Sequence, residues 1–283
     1  MRTKLIRTLS LSMIMLCARP LYAGAKLTPQ ALEAWTNYVA LTEKRIQEEL
    51  RNPTVALQFD IGDLKWGNPR VKQLITTNPP GQNIEIPDGM VHHWVGAIFI
   101  PGVRLEKLIP WLQNYAQYQD YFKDVERSSL NRPPAGDTYD IFLRLTRSKL
   151  RVTAHFNTRH DVVYTRRSPT FFSSVSRSSQ ILQVKDAGST SEKELPEGDD
   201  DGYLWRLNSY WRFFERDGGV VVECESIALS KSLGLVYSMV KFFTFGAINP
   251  RKIAGEIARD ALKQSLTDMS NGVRGGPKKS ARK

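Results

Sequence analysis

Few residues in this chain are equipped to do chemistry. Four histidines stand at positions 92, 93, 155 and 160, and two cysteines at 17 and 224. His92 and His93 are adjacent within an apolar run. Neighbouring residues of a strand point to opposite faces, so the pair cannot grip one metal without a third element. The chain has no HxH or HExxH spacing and no cysteine cluster, so neither a metal nor a cofactor is expected. There is no GxSxG, and neither Ser176 nor Ser209 has an assignable base, so no serine triad can be read.

His160 and Tyr164 carry the sharper signal. Between positions 150 and 164, Leu150, Val152, Ala154, Phe156, Thr158, His160, Val162 and Tyr164 fall on one face of a strand. Arg151, Thr153, His155, Asn157, Arg159 and Asp161 fall on the other. Two polar groups therefore interrupt an apolar face near its end. The plain reading is a hydrogen-bonded histidine at the sheet rim. The functional reading is a polar anchor in an apolar pocket, which is how small-molecule sites orient their ligands.

A hairpin positions the next candidates. Asp217-Gly218 is a strong two-residue turn signal. It pairs Arg216 with Gly219, and continuing outward sets Phe213 against Val222, Trp211 against Cys224, Ser209 against Ser226 and Leu207 against Ala228. Tyr203, Trp205, Leu207, Ser209, Trp211 and Phe213 then share a face with Val220, Val222 and Cys224. Large aromatics meet small partners there. On the other face Arg212 opposes Glu223 and Tyr210 opposes Glu225. Opposite charges meet in this register, and a slip by one residue would mix the faces. The two glutamates read as members of a surface salt-bridge lattice rather than as an acid/base couple. Cys224 reads as a buried inert thiol.

The remaining elements frame these strands. Residues 28–50 read as a helix, with Thr28 as N-cap, Pro29 at its first position, and Leu32, Trp35, Val39, Ile46 and Leu50 on one side. A short strand at 54–59 and an irregular connection at 62–89 follow. Residues 91–100 are a strong strand. Residues 103–122 are helical, with Pro110 arguing for a break. Strands are expected at 139–147, 150–164, 170–184, 203–215 and 220–229, and a final helix from Asn249-Pro250 to about 269. The acidic stretch 188–202 reads as a long loop. The order is α+β, an antiparallel sheet closed around its last helix.

Both ends of the chain bear on location and partners. Arg2, Lys4 and Arg7 precede a short apolar run, and Ala23-Gly24-Ala25 supplies small residues for cleavage, so residues 1–25 read as a secretory signal. The formal charge of +11 falls to +7 without that segment, which holds four basic side chains and no acids. The last twelve residues hold five more basic side chains and no acids, leaving a body near +2. The basic balance is thus mostly a signal and a tail, and no nucleic-acid partner is expected. At 41% hydrophobic and 24% charged, the composition excludes both a disordered chain and a polytopic membrane bundle. The apolar run 233–247, carrying Phe242, Phe243 and Phe245, is too short to span a bilayer. It reads either as a buried helix or as a lid touching a membrane transiently.

Three segments resemble exported bacterial members of the START-like (SRPBCC, helix-grip) superfamily. They are Gly202 to Phe213 (GYLWRLNSYWRF), Asp217 to Ile227 (DGGVVVECESI) and His92 to Gly102 (HHWVGAIFIPG). The resemblance spans about 91–267. It implies a START-like helix-grip fold, a curved antiparallel sheet wrapped around a long C-terminal helix, with a hydrophobic cavity between them. It implies an apolar ligand, lipid or isoprenoid-like, and no particular reaction. The expected organisation is a signal at 1–25, an N-terminal helix, strand and connection at 26–90, the START-like domain at 91–269 and a basic disordered tail at 270–283. Cavity candidates are His93, His160, Tyr164, Tyr203, Trp205, Ser209, Trp211 and Cys224. The alternatives are a cyclase- or hydrolase-like enzyme using His160, Tyr164 or His93, and an envelope protein with a filled core.

Overall fold

The computed structural model describes residues 25–51, 57–64, 68–74, 84–149, 152–231 and 250–279. The signal segment, apart from Ala25, and the apolar run 233–247 lie outside them, as do residues 54–56 of the strand expected at 54–59.

The core is a ten-stranded antiparallel sheet. Its main strands are β4 (Gly89–Pro101), β5 (Val125–Leu130), β6 (Thr138–Lys149), β7 (Val152–Ser168), β8 (Phe171–Lys185), β11 (Arg206–Arg216) and β12 (Gly219–Lys231). Three short strands complete that sheet, β2 (Arg70–Gln73), β3 (Ile84–Ile86) and β9 (Lys193–Glu194), and β1 (Ala25–Lys26) pairs with β10 (Asp199–Asp200) in a small second sheet. The spatial order is β2-β4-β12-β11-β8-β7-β6-β5, with β3 added on β4 and β9 on β8. The helices are α1 (Pro29–Arg51), α2 (Leu105–Gln113), α3 (Tyr118–Tyr121) and α4 (Pro250–Val273).

The β11–β12 hairpin has the register its turn dictates. Arg216 pairs with Gly219, Trp211 with Cys224 and Arg212 with Glu223. Asp217 and Gly218 both have positive φ, 54° and 74°, the backbone of a two-residue turn that follows the strand twist. β4 then pairs along the far edge of β12, setting Gly96 against Cys224 and His92 against Ala228.

One face of the sheet packs on α4. Leu262, Leu266 and Met269 are buried against Ile98, Ile100, Val220, Val222 and Phe213. Each such apolar side chain contributes about 1.5–3 kcal/mol by leaving water. A Cβ on Gly96 would lie 2.9 Å from Leu266 Cδ1, so glycine is what lets the helix approach there. This is the START-like helix-grip arrangement, an antiparallel sheet curved around its C-terminal helix. α4 runs on to Val273, past the boundary expected at 269. Lys279 Nζ donates to the Val125 carbonyl (2.6 Å) and Lys278 pairs with Asp120 (2.9 Å). Residues 270–279 thus belong to the folded body: α4 carries the chain to Val273, and the two lysines beyond it reach a carbonyl of β5 and a carboxylate of α3.

α1 covers the opposite face. Thr28 caps it, its Oγ1 accepting from the Ala31 N–H (3.2 Å). Its buried side is Ala31, Trp35, Tyr38, Thr42 and Ile46, and Leu32 lies off it, 37% exposed. The charges beneath it overturn the reading of a surface lattice. Arg212, Glu223 and Glu225 are fully buried. Arg212 pairs with Glu223 (2.8 Å) and with Glu49 of α1 (2.5 Å), Arg45 of α1 pairs with Glu225, and the Gln58 N–H donates to Glu223 (2.8 Å). Charges this deep persist only when paired and hydrogen-bonded.

Pro110 lies inside α2 without ending it, and the helical stretch breaks at Asn114 instead. The Leu105 N–H at the start of α2 is satisfied by Glu215 (2.8 Å).

Candidate functional site

Between the sheet and α4 lies a cavity in two compartments. The larger, about 350 Å³, is walled by β11, β12, the β10–β11 connection and the α4 residues Ile257, Ala258, Ala261 and Leu262. The smaller, about 160 Å³, lies toward β6–β8 and is closed by Tyr115, Tyr118 and Phe122 and by Gln264, Asp268 and Met269 of α4. Arg147, Leu207, Ser209, Trp211 and Ser265 line both. Small side chains create the space. Ala154, Ser209, Ser226, Ala228, Ala258 and Ala261 stand where the neighbouring core carries Ile, Val, Leu and Phe, and such gaps are not filled by relaxation of a close-packed interior.

Several sequence candidates meet here. Ser209, Trp211 and Cys224 line the larger compartment, and His160 and Tyr164 the smaller. Tyr203 stands at the rim of the larger one, 48% exposed, with Lys231 Nζ 5.7 Å from its ring centroid. Phe242, Phe243 and Phe245 lie outside the described residues.

Two candidates are placed elsewhere. His93 faces the α1 side, where its Nε2 donates to Glu225 (2.7 Å) and its Nδ1 meets the Tyr38 hydroxyl (2.7 Å). The pairing of β4 with β12 decides this, since it puts His92 on the cavity side and His93 on the other. Trp205 also packs on the α1 side, with Trp35, Ile227 and Leu229, and its Nε1 donates to Asp200 (3.0 Å). β11 begins only at Arg206, after a turn at Gly202 (φ +75°), so strand alternation does not extend back to Trp205.

The structure adds residues that the sequence reading passed over. His92 lines the larger compartment, Tyr115 and Asp124 the smaller, and Arg147 both. The Arg147 guanidinium pairs with Asp124 (3.0 Å) and donates to the Thr146 carbonyl (2.9 Å). Arg147 sits on the same strand face as Leu143 and Leu145, so its alternation was a usable signal. Ser176 also acquires a neighbour, His160 Nδ1, at 3.4 Å.

The state of His160 follows from its partners. The Thr158 hydroxyl donates its one proton to the Leu143 carbonyl (3.0 Å). It must therefore accept from His160 Nε2 (3.0 Å), which leaves Nδ1 to accept from Ser176. Burial lowers the His160 pKa to about 4, so the ring is neutral at physiological pH. A base that weak is poorly matched to deprotonating a serine hydroxyl. It is well suited to orienting a hydrogen bond. Tyr164 and Tyr115 are hydroxyl-to-hydroxyl (3.1 Å), and burial raises the pKa of both. They stay protonated, neutral polar points beside the apolar side chains of the smaller compartment.

No family model and no curated protein matches this sequence. Solved structures give distant similarities. A STAR-related lipid transfer protein fragment from Xanthomonas axonopodis aligns at 12% identity and TM-score 0.42, over 69% of this chain and 98% of that one. The Zhui aromatase/cyclase from Streptomyces sp. R1128 aligns at 13% and 0.42, over 66% and 99%. Human STARD10 aligns at 8% and 0.45, over 80% and 79%. The helix-grip architecture stands on this chain's own strand order and on the helix seated in its sheet: the fold is α+β, START-like.

Proposed function

We propose that this chain is exported and binds an apolar small molecule, a lipid or isoprenoid-like compound, between its sheet and α4, without chemistry. The observation that carries the reading is the two-part cavity, with apolar walls and a few fixed polar groups, the usual make-up of a small-molecule site. The neutral, weakly basic His160 favours binding over catalysis. Native mass spectrometry with lipid extraction tests it. Protein labelled at its C-terminus and recovered from the periplasm is expected to begin near Lys26 and to carry stoichiometric apolar ligand. Recovery without ligand, and no uptake of added lipid, would exclude the carrier reading. Full-length cytoplasmic protein would exclude export. Ligand exchange at a membrane through residues 233–247 completes the proposal. Asp at both Phe242 and Phe243 is expected to lower liposome binding while leaving thermal stability nearly intact.

A further inference from the structure

One polar group in the larger compartment has no role in the account so far. His92 lies on the cavity face of β4, opposite Ala228, and is buried. Its Nε2 is 2.9 Å from Ser230 Oγ, and Ser230 Oγ is 3.3 Å from the Lys231 carbonyl. A carbonyl only accepts, so the single hydroxyl proton of Ser230 goes to it. Ser230 then accepts from His92, and by elimination the imidazole carries its proton on Nε2. Nδ1 is left as a lone pair. It is shielded from water and has no hydrogen-bond partner among the described residues.

His160 is held in the same tautomer by Thr158, but there Ser176 serves Nδ1. Of these two cavity histidines, one has its acceptor satisfied and the other does not. A buried acceptor without a partner is costly, and native structures rarely leave one without reason.

We infer that the larger compartment takes a neutral apolar molecule bearing a hydroxyl group, whose proton is received by His92 Nδ1. The inference rests on reading the cavity as a ligand site. Burial lowers the His92 pKa to about 4, which keeps the ring neutral and accepting around neutral pH. A hydroxyl satisfies the lone pair. An ether, a hydrocarbon or a carboxylate has no proton to give it. Of the basic groups nearby, Arg147 is paired with Asp124 (3.0 Å), and Lys231 lies over the Tyr203 ring at the rim.

The test is competition between dodecanol, dodecyl methyl ether and dodecanoate for the purified full chain, read by native mass spectrometry. The alcohol is expected to bind about tenfold or more tighter than the ether, the worth of one well-made buried hydrogen bond. That preference should vanish in His92→Phe, with ether binding retained. Equal binding of alcohol and ether by the unmodified protein would overturn the inference while leaving the carrier reading intact. So would an alcohol preference that survives in His92→Phe, or tighter binding of dodecanoate. Failure of all three to bind would overturn both. Should His92→Phe not fold, Ser230→Ala decides, because it releases the tautomer. A reduced alcohol preference supports the inference and an unchanged one overturns it.

Discussion

Arg212 and Glu223 stand directly opposite each other on β11 and β12 and close an ion pair of 2.8 Å with neither side chain reaching solvent. α1 makes this possible by lying over them and adding Glu49 and Arg45 to the same network.

Arg212→Met should therefore cost about 3–5 kcal/mol, the usual result of stranding a buried charge. Replacing Arg212 and Glu223 together by apolar residues should recover part of that loss, since the two share one interaction. Urea unfolding of the two variants measures both effects. A loss near zero for Arg212→Met would mean that the network is solvated.

Stability should fall on mild acidification. His92 and His160 are lowered to about 4 in the folded chain, against about 6.5 in an unfolded one. Below pH 6.5 the unfolded chain binds protons that the folded chain refuses until about pH 4. The stabilisation is fully present above 6.5 and is lost through that window, on the order of 3 kcal/mol per histidine. Glu225 adds to the loss at the acid end. Burial alone would raise its pKa, but the His93 hydrogen bond and the Arg45 and Arg212 charges lower it overall. Urea midpoints measured across this range should drop, and the drop should shrink when both His92 and His160 are phenylalanine. A flat profile in the unmodified protein would contradict the burial of these rings.

Trp211→Ala should be milder than a core truncation. The ring is half-buried, lies parallel to Phe213 (6.1 Å, 2°) and lines both compartments. Its loss should enlarge the cavity and admit bulkier ligands, with a stability cost below the roughly 3–5 kcal/mol of a packed aromatic. Calorimetry and ligand mass read the two sides. A full core-sized loss with no change in ligand size would show that the space is filled.

Gly96→Ala addresses the seat of α4. The added methyl would press on Leu266 (2.9 Å) and Leu262 (3.2 Å). An overpacking cost of about 1–3 kcal/mol is expected in thermal unfolding. A neutral effect would mean that α4 shifts freely along the sheet.

What the chain discloses by itself follows local rules. The Asp217-Gly218 turn sets eleven cross-strand pairs, and the alternation along β7 puts His160 and Tyr164 on the inner face. Relations between distant segments are less visible. Nothing near Arg212, Glu223 and Glu225 signals that a helix from positions 29–51 lies over them, so a strand face rich in charge reads as wet. Likewise, choosing between His92 and His93 requires knowing that β4 pairs with β12. Trp205 was misplaced for a local reason, an irregular backbone just before β11. The Ser176–His160 contact joins two strands across a bulge at Arg159/His160, which no spacing rule anticipates.

The helix α1 makes the two sides of the sheet mechanically unequal. On its side, any flexing of β4, β11 and β12 would pull apart charges that have no water to replace their partners, so deformation there is stiffly resisted. On the other side Leu262 and Leu266 of α4 meet the sheet through apolar, non-directional contacts, while the Asp268 end of the helix is pinned by the Lys123 N–H (2.8 Å). Any volume the cavity must gain to admit a guest is therefore drawn from the Ile257–Leu262 end of the helix, with the sheet serving as the anvil.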